Sequence, residues 1–104
     1  MKTFTVIVVA AALTGFGASA YAQDAKDIYL DKCATCHGPD GTGQTAKGKK
    51  LKMKGVKETS AKISEAEMVK IVTDGKGADM DSFGKQLTAA QVKAVVAYYR
   101  GLAK

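Results

Sequence analysis

The stretch Cys33-Ala34-Thr35-Cys36-His37 constrains this chain more than any other. It holds both cysteines and the single histidine of 104 residues. A C-x-x-C-H run is the attachment sequence for a c-type haem. Two thiols can add across the two vinyl groups of one porphyrin, and an imidazole directly after the second thiol can serve the iron as proximal ligand. On a helical turn, positions i, i+3 and i+4 share one face. Cys33, Cys36 and His37 are therefore expected to address one flat cofactor. The competing readings are poorer. A dithiol redox motif needs a βαβ pattern, and none is visible. A structural zinc site needs four ligands, and only these three are at hand.

Residues 1–22 read as a cleavable signal peptide. Met1-Lys2 is a short positive start, Thr3 to Gly17 is mostly apolar, and Ala20-Tyr21-Ala22 is an A-x-A cleavage site, with Ala18-Ser19-Ala20 as an alternative two residues earlier. The apolar run falls short of the ~20 residues of a spanning helix. Residues 23–104 are then one small domain destined for the periplasm. A chain of 82 residues builds a marginal core and usually needs a disulfide, metal or cofactor. There is no Trp, and Cys33 and Cys36 are too close in sequence to staple distant segments. A haem would supply the missing apolar bulk.

The domain reads as all-α, with about three helices. Asp24 can cap a first helix over residues 25–36, with Ala25, Ile28, Tyr29 and Cys33 on one face. Gly38-Pro39 stops it, and a glycine-rich loop follows, Gly38 to Gly48, where close approach of backbone to the haem edge is expected. Residues 49–62 are weakly patterned and read as mostly loop. Ser64-Glu65-Ala66-Glu67 is a capping box for a second helix ending at Asp74-Gly75. Residues 76–85 are irregular. Thr88-Ala89-Ala90-Gln91 is another capping box, with Leu87 and Val92 as its hydrophobic staple. Val92, Val95, Val96 and Tyr99 form the apolar stripe of the last helix.

What fills the second axial position of a haem iron decides between electron transfer and ligand chemistry. No second histidine exists, so the candidates are methionines. Met68 falls on an amphipathic helical face, where core packing is the simpler role. Met80 lies in a loop 43 residues after His37, long enough to wrap to the opposite side with a helix between, and is the first candidate. Met53, between lysines, is the second.

The charge is basic: 16 Lys and Arg against 10 Asp and Glu, a net +6. Loss of Lys2 with the leader leaves +5, and two ionised haem propionates would bring this to about +3. Lys47, Lys49, Lys50, Lys52, Lys54 and Lys57 crowd one stretch. They form either a solvated loop or a docking patch for an acidic partner, which would speed association and make it salt-sensitive. Nucleic acid is disfavoured, because no aromatics interleave with the lysines.

Three pieces of the chain resemble class I c-type cytochromes, the small monohaem electron carriers. They are the haem helix Ile28-Tyr29-Leu30-Asp31-Lys32-Cys33-Ala34-Thr35-Cys36-His37-Gly38, the segment Asp74 to Phe83 around Met80, and Val95-Val96-Ala97-Tyr98-Tyr99-Arg100. The resemblance covers nearly all of residues 24–104. It implies a cytochrome c-like fold of three to four helices around one covalent haem c, with the N- and C-terminal helices crossing. Ala25 and Tyr29 would then meet Val95 and Tyr98. It implies Cys33 and Cys36 as thioether sites, His37 as proximal and Met80 as distal iron ligand. The chain departs from the family at Asp81, where proline commonly follows the methionine, and at Ala25, where glycine is common. Its one proline, Pro39, adjoins the motif rather than falling in a later Gly-Pro pair.

The function implied is one-electron transport between periplasmic redox partners with acidic docking surfaces, by a monomer without enzymatic activity and without membrane insertion of the mature chain. The alternative is a haem protein with a labile or open distal site, binding gases or acting as a peroxidase. It lacks support from acid–base residues, since His37 is committed and Arg100 is the only arginine.

Overall fold

A computed structural model describes residues 24–103. The leader read over residues 1–22 lies outside the described residues. Among the described residues five helices follow one another: α1 (residues 24–37), α2 (Ala46–Lys50), α3 (Val56–Lys62), α4 (Glu65–Asp74) and α5 (Ala89–Gly101). Among the described residues the only β pairing is an isolated bridge between Lys76 and Met80.

The capping residues act as their sequence contexts require. Ser64 Oγ accepts the Glu67 amide at 3.1 Å and opens α4. At α5 the box is reciprocal: Thr88 Oγ1 accepts from the Gln91 amide at 3.1 Å, and Gln91 Oε1 accepts from the Thr88 amide at 2.8 Å. The box expected at α4 is thus present as the Ser64 cap on one amide, and the α5 box holds two, of the amides that a helix start otherwise leaves without partners. Gly75 closes α4 at φ +83°, a conformation costly for any residue with a Cβ.

The stretch read as mostly loop, residues 49–62, is different. It carries the end of α2 and all of α3. Thr45 caps α2 by accepting the Gly48 amide at 2.8 Å. Val56 at the head of α3 is buried, and Thr59 Oγ1 donates to the Gly55 carbonyl at 2.9 Å. One buried residue in seven leaves no 3.6-residue period to detect, so tertiary packing rather than amphipathicity places this helix.

The core lies where α1 crosses α5, with α4 packed alongside α5. Tyr29, Val92 and Val96 are its most completely buried large side chains. Burial of each stabilises by roughly 1.5–3 kcal/mol. Tyr29 meets Tyr98 at 5.3 Å and Tyr99 at 6.0 Å between ring centroids. Ala25, Val95 and the staple pair Leu87 and Val92 belong to the same core. The expected meeting of the first and last helices is thus realised through these residues.

Candidate functional site

The attachment turn is built by an interruption in α1. Between Tyr29 and Cys33 the helix widens to π-helical winding, with the Ala34 amide donating to the Tyr29 carbonyl five residues back. Such single-turn widenings occur often at functional sites. The chain then tightens into Ala34–His37 and stops at Gly38, at φ +82°.

A helix end leaves carbonyls without partners. Here three consecutive ones are each held by a different element. Thr45 Oγ1 donates to the Cys36 carbonyl at 2.8 Å. The Gly43 amide donates to the His37 carbonyl at 2.8 Å. Tyr29 Oη donates to the Gly38 carbonyl at 2.6 Å, in the interior. The glycine-rich loop makes this possible. A Cβ on Gly48 would fall 2.6 Å from the Cys36 carbonyl oxygen and would collide with the Gly43 carbonyl. The sequence placed the close approach of this loop at a haem edge; for Gly48 the backbone approached is that of the attachment turn and of Gly43.

The clamped turn borders three adjoining cavities of about 80, 290 and 300 Å³. The two larger ones reach the lower end of the range for small-molecule and cofactor sites. His37 and Met80 line all three. The smallest is deep and apolar, walled by Tyr29, Ile71, Val72, Val95, Val96 and Tyr99, among others. Cys33 and Cys36 border the third. Together the cavities form one slot, with the cysteines along an edge.

Met80 is held by its own turn. The Lys76 amide donates to the Met80 carbonyl at 2.9 Å, and the Met80 amide returns to the Lys76 carbonyl at 3.3 Å. The following segment is tied to α4 by Phe83 N–H on the Val72 carbonyl at 2.8 Å and Gly84 N–H on the Thr73 carbonyl at 3.0 Å. These bonds fix the loop without the proline that Asp81 replaces. Met68 is buried, as its helical face requires, and also touches the deep cavity. Arg100 Nη1 lies 3.6 Å from its sulfur and donates to the Ile63 carbonyl at 2.9 Å. Met53 borders the two larger cavities.

Burial sets the protonation states. It lowers the His37 pKa, keeping the imidazole neutral and its lone pair free for a metal. Burial pushes the Cys33 thiol up to about 11, against an opposing effect of Lys32. The two cysteines are unpaired. His37 Nδ1 is buried without a hydrogen-bond partner, and no carbonyl near Pro39 takes it. Buried polar atoms are rarely left so. Two free thiols, a neutral unpartnered imidazole and a thioether facing one slot are a donor set that fits a haem.

Sequence reasoning singled out Cys33, Cys36, His37 and Met80, and the structure brings all four to the slot. It did not find Thr59, Ile63 and Ile71, which line the slot from α3, α4 and the link between them. Nor did it find Thr45 as a clamp. Thr45 opens a helix too short to show in a periodicity.

Fold and slot together define a c-type cytochrome domain. The model of the family described as cytochrome c oxidase, cbb3-type, subunit III matches residues 20–98, and the chain belongs to this family. It is similar to the cbb3-type cytochrome c oxidase subunit FixP of Azorhizobium caulinodans, 31% identical over 81 residues, covering 78% of this chain and 27% of that protein. It is also similar to the cbb3-type subunit CcoP of Azospirillum brasilense, 27% identical over 86 residues, covering 81% of this chain and 29% of that one. The chain thus spans less than a third of the length of these relatives. Among solved structures, the KustC0563 c-type cytochrome superposes with a TM-score of 0.71 at 35% identity, covering 78% of this chain and 99% of that one. A point mutant of the same cytochrome gives 0.69 at 33%, over 76% and 98%. A cytochrome c domain implies haem c and haem-based electron transfer. No helix of the described residues is long and apolar enough to cross a membrane.

Proposed function

We propose that this chain is a one-electron carrier or electron-transfer module holding one covalently attached haem c. The observation that carries the reading is that His37 and Met80 line every part of one slot whose edge bears Cys33 and Cys36. Bound there, haem supplies an Fe(II)/Fe(III) couple.

Each residue then has a task. Cys33 and Cys36 hold the vinyl edge through thioether bonds. His37, kept neutral by burial, is the proximal ligand, and its backbone is immobilised by the clamp on residues 36–38. Met80 is the distal ligand, and thioether ligation favours the reduced iron. The apolar wall from α4 and α5 excludes water, so that both oxidation states meet the same rigid surroundings. The apolar cavity that His37 and Met80 share holds no Asp, Glu, Lys or Arg, which favours electron transfer over acid–base catalysis there.

The leader over residues 1–22 would deliver the domain to the periplasm, with cleavage after Ala22 or Ala20. The relatives are oxidase subunits, so redox proteins are the partners in view, meeting the lysine-rich stretch from Lys47 to Lys57 through acidic surfaces. The reading treats the chain as a monomer.

The test is carbon monoxide binding by the reduced protein. Six-coordinate His/Met iron should stay low-spin and take up the gas slowly. Met80→Ala should bind it rapidly, while Met53→Ala should behave as the unmutated protein. Rapid binding before mutation would favour an open distal site, and a null effect of Met80→Ala would remove Met80 as ligand.

A further inference from the structure

Charge is distributed unevenly around the slot. The deep cavity has no Lys, Arg, Asp or Glu in its wall. The cavity at the cysteine edge carries Lys32 and Lys47 with Asp79 and Asp81, and these cancel. The remaining cavity carries Lys52, Lys54, Lys62 and Lys76 against Glu58 and Asp79. Four cations and two carboxylates leave an excess of two positive charges there. Asp79 borders both larger cavities, and whichever side it serves, this excess is at least two.

Haem is itself asymmetric. Its two vinyl groups sit on one edge and its two propionates on the opposite edge. Cys36 borders only the cavity at the cysteine edge, so attachment through Cys33 and Cys36 places the vinyl edge there. The propionates must then enter either the deep cavity or the basic one. Two ionised carboxylates in an unpaired apolar interior would be strongly penalised. In the basic cavity they meet as many surplus cations as they carry charges. Lysine suits this, because a flexible stem brings a point charge to a carboxylate without demanding one geometry.

We propose that Lys52, Lys54, Lys62 and Lys76 form the propionate anchor of the slot, on the side away from the thioether bonds. The inference rests on the haem reading above. The lysines come from three separate pieces of chain: the link between α2 and α3, the end of α3, and the turn before Met80. Lys62 already lies 3.3 Å from Glu58 in an exposed i,i+4 pair, an interaction weak enough to be exchanged for a propionate. His37 is the remaining titratable group facing this cavity and is occupied with the iron. The anchor also joins the segment before α3 to the Met80 turn, and no ion pair among the described residues connects these two pieces directly.

The experiment compares two double variants of the holoprotein. Lys54→Gln with Lys76→Gln removes two charges from the basic cavity, and Lys32→Gln with Lys47→Gln removes two from the cysteine edge. The readouts are the propionate bending band in resonance Raman spectra and the midpoint potential. The first variant should shift the band and lower the potential, since fewer cations oppose the ferric charge. The second should leave the band where it is. An unmoved band in the first variant, or an equal shift in both, would overturn the anchor while leaving the haem reading intact. An unmutated protein without haem would overturn the haem reading itself.

Discussion

Tyr29→Phe deletes one oxygen from the centre of the fold and leaves the shape of the side chain intact. Tyr29 is 1% exposed, and its hydroxyl donates to the Gly38 carbonyl at 2.6 Å. Phenylalanine keeps the ring against Tyr98 and Tyr99. The Gly38 carbonyl keeps the Gly41 amide at 3.1 Å, so the cost is that of one lost hydrogen bond, about 0.5–1.5 kcal/mol. In a domain of this size each kcal/mol lowers Tm by roughly 4–8 °C. The pH dependence separates this bond from general packing. Burial raises the Tyr29 phenol far above its ordinary value, with a smaller contribution from Tyr99. A raised folded-state pKa contributes stability that is complete below the unfolded value of about 10 and is lost as pH climbs toward the folded value. The variant lacks that loss, although Tyr99, also raised by burial, remains in both proteins. Denaturant unfolding of the holoprotein at neutral pH and above pH ~10 is the assay. The stability gap should be largest at neutral pH and should narrow in alkali. A neutral-pH gap under about 0.5 kcal/mol, within the range of an ordinary surface substitution, would refute the reasoning. So would a gap that widens with pH.

Other substitutions test the clamp and the caps. Gly48→Ala forces a Cβ onto the Cys36 and Gly43 carbonyls, neither of which is a movable side chain, and should cost about 1–3 kcal/mol by the same unfolding assay. Thr45→Val removes the donor to the Cys36 carbonyl and the acceptor of the Gly48 amide at once, with an expected loss of about 1–3 kcal/mol. Because it loosens the turn carrying His37, it should also shift the midpoint potential, whereas Thr88→Ala should not. Thr88→Ala removes the side-chain half of the α5 capping box, the acceptor of the Gln91 amide, and should cost about 1 kcal/mol.

The parts of the fold legible in the sequence are those governed by local chemistry. Ser64 and Thr88 announce α4 and α5 because a capping side chain and its partner lie three residues apart. Val92, Val95, Val96 and Tyr99 show the buried face of α5 because it is long enough for two periods. The C-x-x-C-H run places three donors together because they lie on one turn. Other features arise only in three dimensions. Helix α3 is short and buries one residue of seven, so no period marks it. The π-helical winding at Tyr29–Cys33 changes hydrogen-bond partners without changing residue types. The role of the Tyr29 hydroxyl depends on a carbonyl nine residues away, exposed by the abrupt stop at Gly38. Met80 was legible as a candidate because few alternatives existed. Its position in the slot depends on the Lys76–Met80 bridge and on the ties from Phe83 and Gly84 to α4, none of which has a sequence signature.

The most direct test of the central claim is the intact mass of the purified, fully denatured protein. One haem held by Cys33 and Cys36 should survive denaturation as a single added haem mass, and Cys33→Ser with Cys36→Ser should abolish it. A denatured mass equal to that of the polypeptide alone would contradict covalent attachment at these residues and the carrier function built on it.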